Sequence, residues 1–238
     1  MEATELPTVT TASEALARYR FALESGSLIQ GGWHDTAEDG RAIACALGVL
    51  GEEVNSPRAC PATVMPLWLA QMVPNMFDGQ TAEDALAWGL DFYGELARLN
   101  GQVPFSVVYD WRANVACPLN IEWLKARGRD TDKEEAVQAL HLRALNGDTA
   151  PEEEWKEALR SASASAYASA SASASAYASA SASASASASA YASAYASASA
   201  SAYASAYASA WGNTLEERQA AWKRLAGGMV ECMRRVAN

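Results

Sequence analysis

Residues 161–210 read SASASAYASASASASAYASASASASASASAYASAYASASASAYASAYASA: every even position is Ala and every odd position is Ser or Tyr. How this block folds decides the architecture, because no other stretch of the 238 residues is as long or as regular.

In a strand, successive side chains point to opposite faces, so the alternation would put all Ala on one face and all Ser and Tyr on the other, as in silk. Strands, however, run about 3 to 10 residues before they turn, and no Gly, Pro, Asn or Asp stands between Glu152 and Trp211 to make a turn. In a helix, steps of about 100° spread Ala and Ser around the whole circumference, so no apolar stripe forms and backbone preference decides. Ala is the best helix former and each Ser costs roughly 0.5 kcal/mol relative to it. Tyr167, Tyr177, Tyr191, Tyr195, Tyr203 and Tyr207 then share an arc of about 160°, and Tyr191 with Tyr195 and Tyr203 with Tyr207 are i,i+4 neighbours. The helix is favoured over the strand, and a block without fixed structure stands as the alternative, since small neutral side chains bury little area against the entropy of ordering. A six-nucleotide Ser-Ala unit also expands by slippage, so alternation alone proves no selected role.

The block carries no charge, whereas residues 1–160 hold 13 basic and 25 acidic side chains and residues 211–238 hold five basic and three acidic. An acidic head argues against nucleic acid as partner, because binding a phosphate backbone requires a cationic face. No run of eighteen apolar residues is present, so no membrane span is expected. The acidic start, Met1-Glu2-Ala3-Thr4-Glu5, lacks the basic and apolar regions of a signal peptide, and a cytoplasmic location is expected. Cys45, Cys60, Cys117 and Cys232 are far apart, without a C-x-x-C pair, and are expected as reduced packing residues.

The head reads as a helical domain over residues 1–150. Thr11-Ala12-Ser13-Glu14 is a capping box opening a helix with Leu16, Tyr19 and Leu23 before Gly26. After a connector at residues 27–35, Thr36 with Asp39 is read as a second cap, before a helix through Ile43, Ala46, Leu47 and Leu50 that Gly51 ends. Residues 52–61 are loop, and a short helix from about Ala62 through Leu67, Trp68 and Met72 stops at Pro74. Thr81 with Asp84 caps a helix carrying Leu86, Leu90, Phe92, Tyr93, Leu96 and Leu99 up to Asn100-Gly101. Residues 106–127 form a helix bent or broken at Pro118, and another runs from about Thr131 to Leu145 with Val137, Leu140 and Ala144 on one face. Pro151 suits the first turn of a helix that continues into the block, so residues 151–211 are read as a long helical element. Thr214 with Glu217 opens a terminal amphipathic helix within residues 212–238, carrying Ala221, Leu225, Met229, Met233 and Val236 and free to fold back on the rod or the head.

Candidate chemistry is sparse. His34 and His141 with the cysteines offer no metal-ligand spacing. Asp110 and Arg112, two residues apart on a helix, face different directions and are read as surface charge rather than a catalytic pair. Trp33, Trp68, Trp88, Trp111 and Trp123 are read as aromatic core. No phosphate-binding loop, nucleophile elbow or H-E-x-x-H is present. The reading is therefore of a non-enzyme with no catalytic, cofactor or metal residues, and the six block tyrosines are its candidate interaction surface.

The segments Ala44-Cys45-Ala46-Leu47-Gly48, Cys60-Pro61-Ala62, Met76-Phe77-Asp78-Gly79, Asp110-Trp111-Arg112-Ala113-Asn114, Pro118-Leu119-Asn120-Ile121-Glu122-Trp123 and residues 218–226 resemble a group of uncharacterised bacterial and phage proteins. In that group an acidic helical head is followed by an alanine-rich repeat and a short closing helix, and some members carry an immunity-protein label. The resemblance implies an all-α fold and no functional residues. Three functions are weighed. In the first, an interaction or structural protein binds a protein partner or itself, with the block as spacer or self-association element. The second is an immunity-type protein masking a basic partner. The third is an ice-binding protein, against which stand Ser on every face and no regularly spaced Thr. A peptide of residues 152–211 is expected to show partial helix by circular dichroism; a β-type spectrum would remove the helix reading.

Overall fold

The computed structural model describes residues 7–148, 150–151, 153–159 and 214–237. The long helix expected across the Ser/Ala/Tyr block lies outside the described residues. Where it is described, the chain is mostly helical with one short hairpin, and among the described residues no helix is long and apolar enough to cross a membrane. The chain groups into two compact units, residues 1–103 with 233–238 and residues 104–232. This grouping differs from the composition-based divisions at residues 150 and 211.

In the first unit, α1 (Ala12–Glu24) opens on the expected capping box, Glu14 N–H donating to Thr11 Oγ1 (3.2 Å) while Glu14 Oε2 accepts from the Thr11 N–H (3.2 Å). Its buried face is Ala12, Ala15, Tyr19 and Ala22, with Leu16 and Leu23 only half-buried. The small residues let α1 lie close on α4 (Ala82–Arg98). Thr81 caps α4 by accepting from Asp84 N–H (3.2 Å). At the α1–α4 crossing the Tyr19 and Tyr93 rings are 5.0 Å apart, Tyr19 Oη donates to Leu86 O (3.2 Å) and Tyr93 Oη to Ala46 O (2.5 Å). A Cβ on Gly89 would fall 2.1 Å from Tyr19 Oη, so only glycine fits there.

The helix expected between Thr36 and Gly51 is not formed. Residues β1 (His34–Thr36) and β2 (Ala42–Ala44) pair antiparallel, His34 opposite Ala44, and a 3-10 turn at Gly48–Leu50 follows. The physical reason is Asp39-Gly40, a hairpin-turn pair: Gly40 takes φ 83°, Ala37 N–H donates to Arg41 O (2.8 Å), and Asp39 Oδ1 accepts from Arg41 N–H (3.0 Å) instead of capping a helix. The apolar positions still go inward, with Cys45, Ala46, Leu47 and Leu50 all buried.

Pro74 also acts otherwise than expected. α2 (Leu67–Ala70) is a single turn and Pro74 lies in the first turn of α3 (Val73–Asp78), where its missing N–H is no loss. At the end of α4 the Arg98 guanidinium donates to Met233 O (2.7 Å) and Val236 O (3.1 Å), and Arg234 meets Asp91 (3.2 Å). The terminal helix thus folds back on the head.

In the second unit the expected break at Pro118 is real but sits one turn earlier. Between α5 (Ser106–Trp111) and α6 (Cys117–Ala126) the residues Arg112–Ala116 are π-helical, and Cys117 N–H donates to Arg112 O, five residues back. A proline ring collides with the carbonyl four residues before it, and the widened turn makes room for the ring without ending the helix. α7 (Asp132–Leu145) buries Val137, Leu140 and Ala144 as expected. A short helix, α8 (153–159), follows Pro151. The last helix, α9 (Leu215–Arg234), has its capping box, Glu217 N–H donating to Thr214 Oγ1 (3.2 Å) and Thr214 N–H to Glu217 Oε2 (3.3 Å). Its Ala221, Leu225, Met229 and Met233 are buried. A Cβ on Gly228 would lie 2.4 Å from Val115, which sets how closely α9 approaches the π-helical turn.

Two glycines of α4 separate packing from propensity. Gly89→Ala is expected to lower unfolding free energy by about 1–3 kcal/mol through overpacking on Tyr19. Gly94→Ala, where a Cβ meets nothing within 4 Å, is expected to raise it by about 0.5–1 kcal/mol. Urea titration followed by tryptophan fluorescence reads both, and the same sign for the two would refute the close crossing of α1 and α4.

Candidate functional site

The six tyrosines singled out in the sequence, Tyr167, Tyr177, Tyr191, Tyr195, Tyr203 and Tyr207, lie outside the described residues. What the structure describes is the base from which their segment departs and to which it returns, and both flanks belong to the second unit.

At the departing flank, the Pro151 carbonyl accepts from Glu154 N–H (3.0 Å) and Trp155 N–H (3.3 Å). Trp155 then packs edge-on against His141 (centroids 4.8 Å) and roughly parallel to Tyr109 (6.5 Å). One turn later Ala158 and Leu159 pack on Cys117 of α6 and Val137 of α7. Arg143 bonds Asp148 (3.0 Å) and Glu154 (2.7 Å), and these carboxylates, Asp148 first, raise the guanidinium's pKa.

At the returning flank, Trp111 Nε1–H donates to Leu225 O (2.9 Å). Arg224 grips Glu122 of α6 with both terminal nitrogens (3.2 and 2.8 Å), which lowers the Glu122 pKa. Such planar pairing fixes orientation more than a single ammonium contact would.

Beneath these flanks lies a buried polar layer. Asp110 and Arg112, expected at the surface, are 9% and 5% exposed, with Glu134 at 4% and His141 at 8%. Asp110 Oδ1 accepts from Asn114 Nδ2 (2.7 Å). Burial raises the Cys117 thiol well above its ordinary pKa, with the nearby Glu134 carboxylate acting in the same direction. Burial together with the Arg112 charge lowers His141 to about 3, and its Nδ1 has no hydrogen-bond partner. A protonated thiol is a poor nucleophile and an imidazole of such low basicity a poor base near neutrality. The layer therefore favours packing and orientation over proton transfer. Among the described residues no group of three or more His, Cys, Asp or Glu is placed to hold a metal ion, and all four cysteines are free thiols.

The burial of His141 was legible from its spacing with Val137 and Ala144, which places it on the α7 core stripe. The burial of Arg112 carried no such signal, because nothing in its own helix marks it as an inward charge.

Over this layer α6 and α7 form an open groove of about 670 Å³. α6 contributes Pro118, Ile121, Glu122 and Lys125, and α7 contributes Glu135, Gln138, Ala139 and Leu142. The two helices are antiparallel along it, since Lys125 pairs with Glu135 (3.3 Å) next to their connection while Pro118 and Leu142 stand at the far end. Gln138 turns inward to Ala113 O (2.8 Å), leaving Ile121, Ala139 and Leu142 as an apolar floor, with Leu142 39% exposed.

Because His141 is held neutral in the fold and takes up a proton near its ordinary pKa of 6.5 when unfolded, it contributes stability above that pH which is lost as pH falls toward 3. His141→Phe keeps a ring against Trp155 and removes the titration. Its unfolding free energy is expected to fall less steeply between pH 6 and 4, by up to about 1.4 kcal/mol per pH unit. Parallel curves for the two proteins in urea titrations would refute a neutral buried His141.

Comparison with known protein families, with curated proteins and with solved structures found no match.

Proposed function

We propose that the chain is a non-catalytic interaction or structural protein that presents its Ser/Ala/Tyr segment from a folded base, the segment serving as a spacer or self-association element. The observation that carries this reading is that both flanks of the segment are seated on one helix: Leu159 packs on Cys117, and Arg224 bonds Glu122, five residues further along α6.

That anchorage also bears on the form of the segment. A straight helix over residues 160–213 would be about 80 Å long at roughly 1.5 Å per residue. The ten residues of α6 and the stretch from Leu215 to Arg224 add only about 15 Å each, so with side-chain reach the flanks lie within roughly 40 Å of each other. A single rod is too long for that gap, and the reading carried forward is a helical projection that leaves the base and comes back to it. Small Ala and Ser side chains suit close contact between helices of such projections, and tyrosines supply aromatic contact area.

The acid excess of residues 1–160 favours a second reading, capture of a basic protein. Two of the tail's own arginines already sit on carboxylates of the head, Arg224 on Glu122 and Arg234 on Asp91. Capture of this kind weakens as salt screens it.

Deleting residues 161–210 is expected to leave the helix content of the described units unchanged and to abolish the self-association that sedimentation velocity detects for the full chain. Equal sedimentation behaviour of the two proteins, corrected for mass, would overturn the self-association reading.

A further inference from the structure

We propose that the groove between α6 and α7 is a docking site for the chain's own Ser/Ala/Tyr segment, residues 160–213. This inference rests on the reading of that segment as a projection returning to its base.

Three observations point to this occupant. The segment starts one residue after Leu159, whose side chain packs on Cys117 and Val137, the immediate neighbours of the groove residues Pro118 and Gln138. It ends at Thr214, ten residues before Arg224, and Arg224 is bonded to the groove residue Glu122. Both ends are thus tethered to the helices that form the groove, and tethering holds a segment at millimolar effective concentration, so weak apolar contact suffices for occupancy. The third observation is chemical fit. The charged rim is engaged within the chain, Lys125 with Glu135 and Glu122 with Arg224, while Ile121, Ala139 and Leu142 leave a strip about two turns long that offers area but no charge. A strip between two helices takes an element with small side chains, which lets backbones approach closely, and the segment between 161 and 210 is neutral and half Ala. A tyrosine fits the same strip with its ring on Leu142 and its hydroxyl toward the polar rim.

The test places the photo-reactive residue p-benzoylphenylalanine at position 142 of the full chain, with an equal mixture of isotopically light and heavy chains to separate contacts within one chain from contacts between two. After irradiation, mass spectrometry is expected to find crosslinks from position 142 to residues 160–213 of the same chain. These are lost in the Ala139→Arg background, where a long charged side chain fills the strip, while circular dichroism stays unchanged. Should Ala139→Arg itself reduce the helix signal, Ala139→Gln serves in its place and is expected to lower the crosslink yield in the same direction. Crosslinks only between light and heavy chains would show a second copy in the groove and overturn docking within the chain, as would crosslinks only to other parts of the chain or none. If docking fails while self-association still depends on residues 161–210, presentation of the segment stands and only this assignment of the groove falls.

Discussion

The fully buried Trp111 donates its indole N–H to the main-chain carbonyl of Leu225, 114 residues later in the chain, and the second unit is organised around that bond. A buried Trp contributes several kcal/mol through apolar area alone, about 3–5 kcal/mol by the cost of truncating one to Ala. The ring is placed only if its polar N–H finds a partner. The partner comes from α9, so everything between the two residues must leave and return for the core to close. The Gly228 gap that admits Val115 and the Arg224 grip on Glu122 align the same helix on the same neighbours. The Ser/Ala/Tyr segment is in this sense an insertion into a core whose two halves require each other.

Placing Trp111 so deeply has a consequence for its neighbours. Asp110 and Arg112 follow it inward, where unpaired charge costs far more than at a surface. The Asn114 amide meets Asp110, and Arg112 lies near enough to His141 to disfavour a second positive charge there. The π-helical turn at Arg112–Ala116 links these facts: it is imposed by Pro118, and its extra residue per turn changes the direction in which the following α6 side chains face. Cys117, the first residue of α6, thereby enters the core beside Glu134 and supplies, with Val137, the surface on which Leu159 rests. A proline, a widened turn and a buried thiol together set where the repeat begins.

How much of this was legible depends on the range of the interaction. The boxes at Thr11 with Glu14 and Thr214 with Glu217, and the Thr81 cap, are local and were read correctly, as were the stops at Gly26 and Gly147. The stretch from Thr36 to Leu50 was misread because Ile43, Ala46, Leu47 and Leu50 fall at helical spacing whether or not a helix forms. Their inward placement was right, but the turn residues Asp39-Gly40 outweighed the period. The α1 face shows the same limit, since a sequence weighs Leu16 and Leu23 above Ala12, Ala15 and Ala22, whereas close approach to Gly89 rewards the small residues. Least legible were Arg112, Trp155 and the α6–α7 groove, because their meaning lies in contacts between residues far apart in sequence.

A repeat that grows by slippage survives in a folded protein only if its length is nearly neutral for the fold. The entropy of closing a flexible connection rises as the logarithm of its length, so doubling it costs about 0.6 kcal/mol. A core closed by Trp111, Leu225 and the aromatic cluster of Tyr109, His141 and Trp155 can bear several such doublings. Adding or removing Ser-Ala units also preserves neutrality, introduces no turn residue and exposes no large apolar side chain. The position that tolerates expansion is therefore one where both flanks are held by contacts independent of what lies between them, and Leu159 on Cys117 with Arg224 on Glu122 meets that condition. Tyrosine is the residue a single base change introduces into such a run, and it is also the one that gives a run of small side chains enough area to bind anything. Expansion thus supplies length and point change supplies contacts, with the base left as it was.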